Sequence, residues 1–317
     1  MGRYIARRLV EMVPVIVILS MLVFVVLRIL PGDPVGALLG EEAGSLSPEQ
    51  RAEVERDLGI DRAIPVQYVI WVVDLVRGDW GNTLISRQPV VQIIGERLST
   101  TLQLATLAWV VGLSVGIPVG ILSATRRNTW LDVGITVGAL AGVATPNFLL
   151  GLLLIIVFGV YLNILPTSGF VPLSEDPVSA IRHLLLPTLA LSVGLMASIV
   201  RQTRSAMLEV LNEDYIRTAR AKGLGTGRVV LGHGLKNALL PVVTVAALQV
   251  GNLASGTIIV ETMFAIPGMG RLTIDAILVS DFATVQVIVL FVALFTMFAN
   301  LLSDILYVRL DPRIRLA

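Results

Sequence analysis

Six stretches of this chain carry no charged side chain: residues 12–27, 99–125, 133–160, 184–200, 237–260 and 282–303. Hydrocarbon offers the backbone no hydrogen-bond partner, so an apolar run that crosses a bilayer satisfies its N–H and C=O groups internally, as a helix of about 20 residues. With 55% hydrophobic and only 15% charged residues over 317 positions, the chain is too apolar for a soluble globular domain. The expected fold is therefore all-α and polytopic, with six transmembrane helices. The first run is short, but Leu30 extends it past Arg28, whose long side chain can snorkel to the interface. A cleaved signal peptide is the rival there, since Arg3, Arg7 and Arg8 precede the run. No small-x-small site follows, so the helix is expected to be retained.

Alternating spans put Arg3, Arg7 and Arg8, then Arg126 and Arg127, then residues 201–236, then Arg309, Arg313 and Arg315 on one side. By the positive-inside bias that side is cytoplasmic, with both termini on it. The net charge of +1 conceals this polarity and gives no reason to invoke a nucleic acid. Three regions result: a cytoplasmic N-terminus and first span (1–30), an extracytoplasmic helical segment (31–98), and a five-helix membrane core (99–317) containing a cytoplasmic loop (201–236). In the outer segment, Ser47-Pro48-Glu49-Gln50 spells an N-cap, a proline at the first helical position and a capping-box glutamine, for a helix stopping before Gly59. A second helix over 66–77 carries the apolar stripe Tyr68, Trp71, Val72 and Leu75, expected to pack on the membrane domain.

Polar and helix-breaking residues inside the apolar runs require an explanation. Pro118, Pro146, Pro187 and Pro241 each remove a helix hydrogen bond and mark kinks, which suit either a transporter that opens to alternate sides or a static bundle. Asn147, Gln249 and Asn252 are candidates for the translocation path, weighed against the commoner role of interhelical hydrogen bonding. Glu261 ends the fifth run, just before the proline- and glycine-rich stretch 262–270. It is positioned either to meet a cationic substrate or, the default, to brace that stretch through backbone N–H groups. Asp275 and Asp281 are expected to face water.

Several chemistries find no residues. The chain has no cysteine and only two histidines, His183 and His233, so neither a zinc cluster nor a disulfide framework can be written. No G-x-x-x-x-G-K-[ST] loop is present, and Gly223, Gly225 and Gly227 follow a helix and lack its lysine. No catalytic residue is assigned. Inverted repeats and mid-membrane acids of a secondary transporter are not evident either.

The remaining feature is the basic segment between the fourth and fifth runs, DYIRTARAKGLGTGRVVLGHGLKNALLP. Asp214 is placed to cap a helix from Tyr215 to Lys222, and Gly223 to end it in the left-handed conformation. Ile216 and Ala219 share one face, with Arg217, Arg220 and Lys222 elsewhere. Such a helix is either one solvated turn of loop or a knob for a groove.

Arg217, Thr218, Ala219 and Gly223, with Leu240-Pro241, resemble the cytoplasmic loop motif of permease subunits of binding-protein-dependent ABC importers. Two departures stand out: Arg217 occupies the usual glutamate position, and Pro241 lies farther from Gly223 than in the shorter form. Both departures, and the wording T-A-R-A-K-G-L then N-A-L-L-P, are similar to the B-type permease of the dipeptide/oligopeptide (and nickel) branch. Further similar blocks are Pro31-Gly32-Asp33-Pro34, Asp57-Leu58-Gly59, Gly78-Asp79-Trp80-Gly81, ETMFAIPGMG (261–270) and LDPRIR (310–315).

That resemblance implies the type I ABC importer permease fold in a prokaryotic plasma membrane. It implies a C-type permease partner, an extracytoplasmic binding protein, and one or two ATPase subunits that bind ATP and Mg, with no cofactor in this chain. The segment Asp214, Tyr215, Ile216, Arg217, Thr218, Ala219, Arg220, Lys222 and Gly223 would then be the coupling element. Ile216 and Ala219 would fill a cleft on an ATPase, and the basic residues would meet its rim. Peptides are the expected substrate, with nickel chelates, glutathione or oligosaccharides as alternatives. A secondary transporter or membrane scaffold is the rival function.

Overall fold

A computed structural model describes residues 2–29, 34–57 and 59–310, and their side chains apart from 2–4, 34, 37, 41, 251–255, 302–304 and 306–310. Asp33, Leu58 and the segment 311–317, part of the sequence blocks above, lie outside it. Among the described residues all regular elements are helices, and the only pairing of extended backbone is an isolated bridge between Asn82 and Pro89. In chain order they are α1 (Gly2–Ile29), α2 (Pro34–Leu39), α3 (Pro48–Asp57), α4 (Ile64–Arg77), α5 (Val90–Thr125), α6 (Trp130–Ala144) and α7 (Asn147–Leu154). There follow α8 (Pro177–Val210), α9 (Asp214–Ala221), α10 (Thr226–Arg228), α11 (Leu235–Met263), α12 (Met269–Leu278) and α13 (Phe282–Leu310). Segments Ile155–Tyr161 and Val229–Gly234 are π-helical, continuing α7 and leading into α11.

Among the described residues five helices are long and apolar enough to cross a membrane, and the sixth expected span is broken. Trp130–Ala144 and Asn147–Tyr161 meet at 105°, so six spans result when this bent pair counts as one. Pro146 explains the break, because it has no N–H to continue the helix and drives the preceding Thr145 to extended backbone, with φ −83° and ψ 121°. Pro118, Pro187 and Pro241 instead lie within continuous helices.

Residues 1–100 with 267–298 form one compact unit. Its α3 opens with the expected capping box: Gln50 N–H donates to Ser47 Oγ (3.2 Å) and Ser47 N–H to Gln50 Oε1 (2.9 Å). Helix α4 stops at Gly78, left-handed with φ 90°. Its Tyr68 and Trp71 pack on Phe24 of α1, with ring centroids 5.4 and 5.5 Å away. A second cluster gathers Val90, Ile94, Met269, Val287 and Ile288, with Leu75 and Trp80 against it. Asp275 is exposed beside Arg271, but Asp281 does not face water. It is buried as the cap of α13, accepting from Leu84 N–H (2.8 Å), Thr284 N–H (3.1 Å) and Thr284 Oγ1 (2.7 Å). The exposed first turn of a helix needs such an acceptor, and that need outweighs the acid's preference for water.

Residues 101–266 with 299–310 form the second unit, with α8 at its centre. Asp176 caps α8 by accepting from Val178 and Ser179 N–H, and the Ser179 bond foremost holds its carboxyl below the usual carboxylate range. Leu184, Leu186, Leu191, Leu195 and Ile199 of α8 join Leu104 and Ala108 of α5 and Val242, Ala246 and Val260 of α11 in one core. Helix α5 reaches α8 through Gly112, Gly116 and Gly120, one turn apart. A Cβ on these glycines would come within 2.4 Å of Leu195 Cδ2, 2.9 Å of Ile199 Cγ2 and 2.6 Å of Thr203 Cβ.

Gly120→Ala should destabilise the protein by about 1–3 kcal/mol, because the new methyl also meets the Val200 carbonyl oxygen at 2.8 Å. Gly134→Ala, on an open face of α6, should be neutral or stabilise by up to about 1 kcal/mol. Denaturant unfolding of both variants in detergent micelles measures the difference.

Candidate functional site

Helix α8 ends at Val210, ten residues beyond the apolar run, and three residues later the chain turns into α9. The helix begins at Asp214, not Tyr215, and Glu213 occupies the cap position without a side-chain bond. Asp214 instead reaches Arg217 (3.2 Å) in an exposed pair, which contributes little in water. The exit is a Schellman motif: Gly223 N–H donates to Arg220 O (2.9 Å) and Leu224 N–H to Ala219 O (3.4 Å). Gly223 has φ +80°, the left-handed region in which a side chain is strained.

Ile216 and Ala219 share a face, as their spacing dictates, but that face is turned onto this chain. Ile216 is 0% and Ala219 7% exposed, packed on Val229 with Leu211 and Leu224. The outward stripe is Asp214, Arg217, Thr218 and Ala221, flanked by Tyr215, Arg220 and Lys222. The π-helical turn lets consecutive residues serve two partners: Val229 packs under α9, while Val230 joins Ala124, Ala206, Met207 and Ala238 of the spans. Tyr215 Oη also accepts from Asn237 Nδ2 (2.8 Å), tying α9 to the start of α11. The helix is thus clamped to the ends of two spans.

One turn of α8 before that clamp lies a polar cluster that sequence reasoning did not identify. Arg204 grips Asp132 through Nε to Oδ1 (2.7 Å) and Nη2 to Oδ2 (2.8 Å). Ser123 Oγ donates to Oδ1 (2.6 Å) and Asn128 N–H to Oδ2 (3.0 Å). The Asp132 side chain is 4% exposed and Arg204 28%, so the pair is largely withdrawn from water and its fork geometry is bidentate. It pins the α5–α6 turn to α8. A signal existed, since Thr129 accepts from Asp132 N–H (3.4 Å) and T-x-x-D before an apolar run is a capping pattern.

The path candidates do not converge on one group. Asn147, first residue of α7, places Oδ1 3.7 Å from where a Cβ on Gly194 of α8 would sit, and Nδ2 3.3 Å from one on Gly256 of α11. Those two glycines leave it room at a three-helix junction. Gln249 is half-buried on α11 and engaged in a polar or electrostatic contact, while the side chain of Asn252 lies outside those described. Glu261 is 0% exposed and accepts from Thr101 Oγ1 (2.7 Å), and its backbone carbonyl accepts from Ile266 N–H (2.8 Å). Its carboxylate thus reaches across to Thr101 of α5, while the stretch that follows is tied to its main-chain carbonyl. Among the described residues no group of three or more His, Cys, Asp or Glu is arranged to hold a metal.

Residues 116–316 match the family described as binding-protein-dependent transport system inner membrane component, and residues 1–105 match the N-terminal region of such membrane components. The chain belongs to this family of importer permeases. It is 41% identical, over an alignment of 338 positions, to the dipeptide transport system permease protein DppB of Escherichia coli K12, covering 99% of each chain. A putative peptide transport system permease protein of Brucella abortus is 39% identical over 315 residues, again 99% of each chain. The fold resembles a chain of the MetNI methionine ABC transporter in an inward-facing conformation, with a TM-score of 0.57 at 17% identity. That match covers 70% of this chain and 98% of the other. The helical arrangement is accordingly the type I ABC importer permease fold. As a permease the chain is a multi-pass inner-membrane subunit of a binding-protein-dependent importer, a class that works with ATPase and substrate-binding subunits.

In this permease Arg204→Met would strand the Asp132 carboxylate in a site only 4% exposed. The expected cost is about 3 kcal/mol, much of it recovered in the Asp132→Asn/Arg204→Met double variant, because an unpaired buried charge costs more than the absent pair. Unfolding in detergent of the two single variants and the double variant checks this.

Proposed function

We propose that this permease carries peptides, delivered by an extracytoplasmic binding protein, along a path formed with a C-type permease, driven by ATP and Mg in one or two separate ATPase subunits. Full-length identity of 41% with a dipeptide permease supports the substrate class. Nickel chelates, glutathione and oligosaccharides remain the alternative cargoes. The arginine distribution supports cytoplasmic termini, the three-region organisation, and a cytoplasmic position for residues 201–236. Among the path candidates, Asn147 at its three-helix junction is the one whose surroundings best suit a residue facing the path, with Gln249 and Asn252 of α11 as further candidates.

The observation that carries the coupling role is the two-sidedness of α9. One face is buried on the chain's own π-helical turn, and the other is presented whole. A push on the outward stripe at Asp214, Arg217, Thr218 and Ala221 therefore passes through Ile216 and Ala219 into α11, and through Leu211 and Met207 into α8. Small residues at the crest, Thr218 and Ala221, suit seating in an ATPase cleft, with Tyr215, Arg217, Arg220 and Lys222 at its rim. Ile216 and Ala219 act as the transmitting layer behind the contact and do not fill the cleft, and Gly223 shapes the exit.

Ala221→Arg tests this, since alanine and arginine are both good helix formers and the position is exposed. In the complex reconstituted in lipid, ATPase stimulation by peptide-loaded binding protein should fall by about tenfold or more, as expected for an arginine forced into a packed contact, with permease stability unchanged. Unaltered stimulation would mean that α9 is a solvated loop helix.

A further inference from the structure

A cavity of about 180 Å³ lies at the C-terminal end of α1, walled by Arg28, Ile60, Thr83, Arg87, Asp281 and Phe282 among others. It belongs to the 1–100/267–298 unit and has no part in the coupling geometry. That volume corresponds to about six waters, enough for a phosphate group with part of its hydration. We propose that this cavity is an anion site for a phosphate monoanion, and that its source is the headgroup of a phospholipid.

The site is built. Arg28 donates Nε to Gln67 Oε1 (2.9 Å) and lays its guanidinium over Phe24, 4.9 Å from the ring centroid. Gln67 is itself buried, and its Nε2 donates to the carbonyls of Ile60 (3.2 Å) and Arg62 (2.7 Å), so the arginine is held by a fixed support. Its Nη edge has no hydrogen-bond partner among the described residues. Arg87, also in the lining, stands on an exposed turn at φ 54°, likewise without a side-chain partner among the described residues. That turn is fastened to the start of α13 by the bond from Leu84 N–H to Asp281.

Among the described lining residues Asp281 is the one carboxylate, and three donors, Leu84 N–H, Thr284 N–H and Thr284 Oγ1, already engage both of its oxygens. Two arginines and one aspartate leave the lining at +1, the complement of a singly charged phosphate diester. Guanidinium groups suit that ligand because each offers parallel N–H donors to two phosphate oxygens.

The lipid source follows from position. Arg28 lies in the last turn of the apolar span Ile5–Ile29, where a bilayer passes from hydrocarbon to headgroups. Packed beside that end, α4 keeps a second apolar row exposed: Val66, Val69, Ile70, Val73 and Val76. These residues recur at helical spacing and give acyl chains a surface adjoining the phosphate site. Such a site suits a headgroup of either leaflet and is independent of the cargo.

Native mass spectrometry of the full chain with its co-purifying subunits, titrated with phosphatidylglycerol, diacylglycerol or free glycerol phosphate, tests the site. Wild type should retain phosphatidylglycerol and not diacylglycerol, and Arg87→Gln, on an exposed turn, should weaken retention by about tenfold. The Arg28→Gln/Arg87→Gln variant should abolish selectivity between the two lipids. Free glycerol phosphate binding as tightly as the lipid would uphold the anion class and overturn the bilayer source. Equal retention by wild type and Arg87→Gln overturns the proposal. So does unchanged lipid retention with lost stimulation by the binding protein, which would make this face a protein-docking surface.

Discussion

Helix α8 is as deeply buried as it is because α5 meets it with glycine. In a bilayer, apolar side chains gain nothing by leaving lipid for protein, so association rests on close backbone approach and dispersion. Gly112, Gly116 and Gly120 supply that approach, bringing α5 against Leu195, Ile199 and the Val200 carbonyl. Gly142 of α6 does the same against Ala197 and Val193, and Gly151 of α7 faces Met263 and Phe264. A helix so enclosed moves with its neighbours or not at all. Any displacement delivered to its end is therefore shared among α5, α6 and α11.

The Asp132–Arg204 pair gives that enclosure a fixed register near the end of α8 that leads to α9. Dispersion between glycine stripes tolerates sliding, whereas a bidentate ion pair supported by Ser123 and the Asn128 N–H does not. Because the pair sits just before Met207 and Leu211, which pack on the π-helical turn and α9, a rotation at α9 reaches the α5–α6 turn through rigid contacts. Exposed pairs such as Asp214–Arg217 and Arg7–Glu11 do no comparable work, since both partners remain in water.

Much of this was legible from residue order, and the failures have identifiable causes. Ser47 to Gln50 announced α3, and Gly223 announced the end of α9, because both signals are local backbone chemistry. Periodicity paired Ile216 with Ala219 correctly yet gave no indication of what covers them. The answer lies ten residues on, in Val229. Arg204 carries no local signal of its role, because its partner is 72 positions away and no local pattern joins them. Asp281 reads as solvent-facing for the same reason: the Leu84 N–H that recruits it is 197 residues distant. Pro146 was visible as a kink, but whether a proline bends a helix or divides it depends on whether neighbours can satisfy the freed carbonyls.

That last dependence also accounts for Asn147. A continuous helix through Pro146 would carry α7 onward along the axis of α6, away from the 105° turn that the chain takes. The break makes Asn147 the first residue of a new helix, whose N-terminal N–H groups lack intrahelical acceptors, and an amide there is far less costly than in mid-span. Gly194 and Gly256 leave the space into which it reaches. A polar side chain held at a helix start, between two glycines on facing spans, can change partners without any helix unfolding. That freedom distinguishes it from Glu261, which is fully enclosed and bonded to Thr101, and it is the property that the proposed path-facing role of Asn147 calls for.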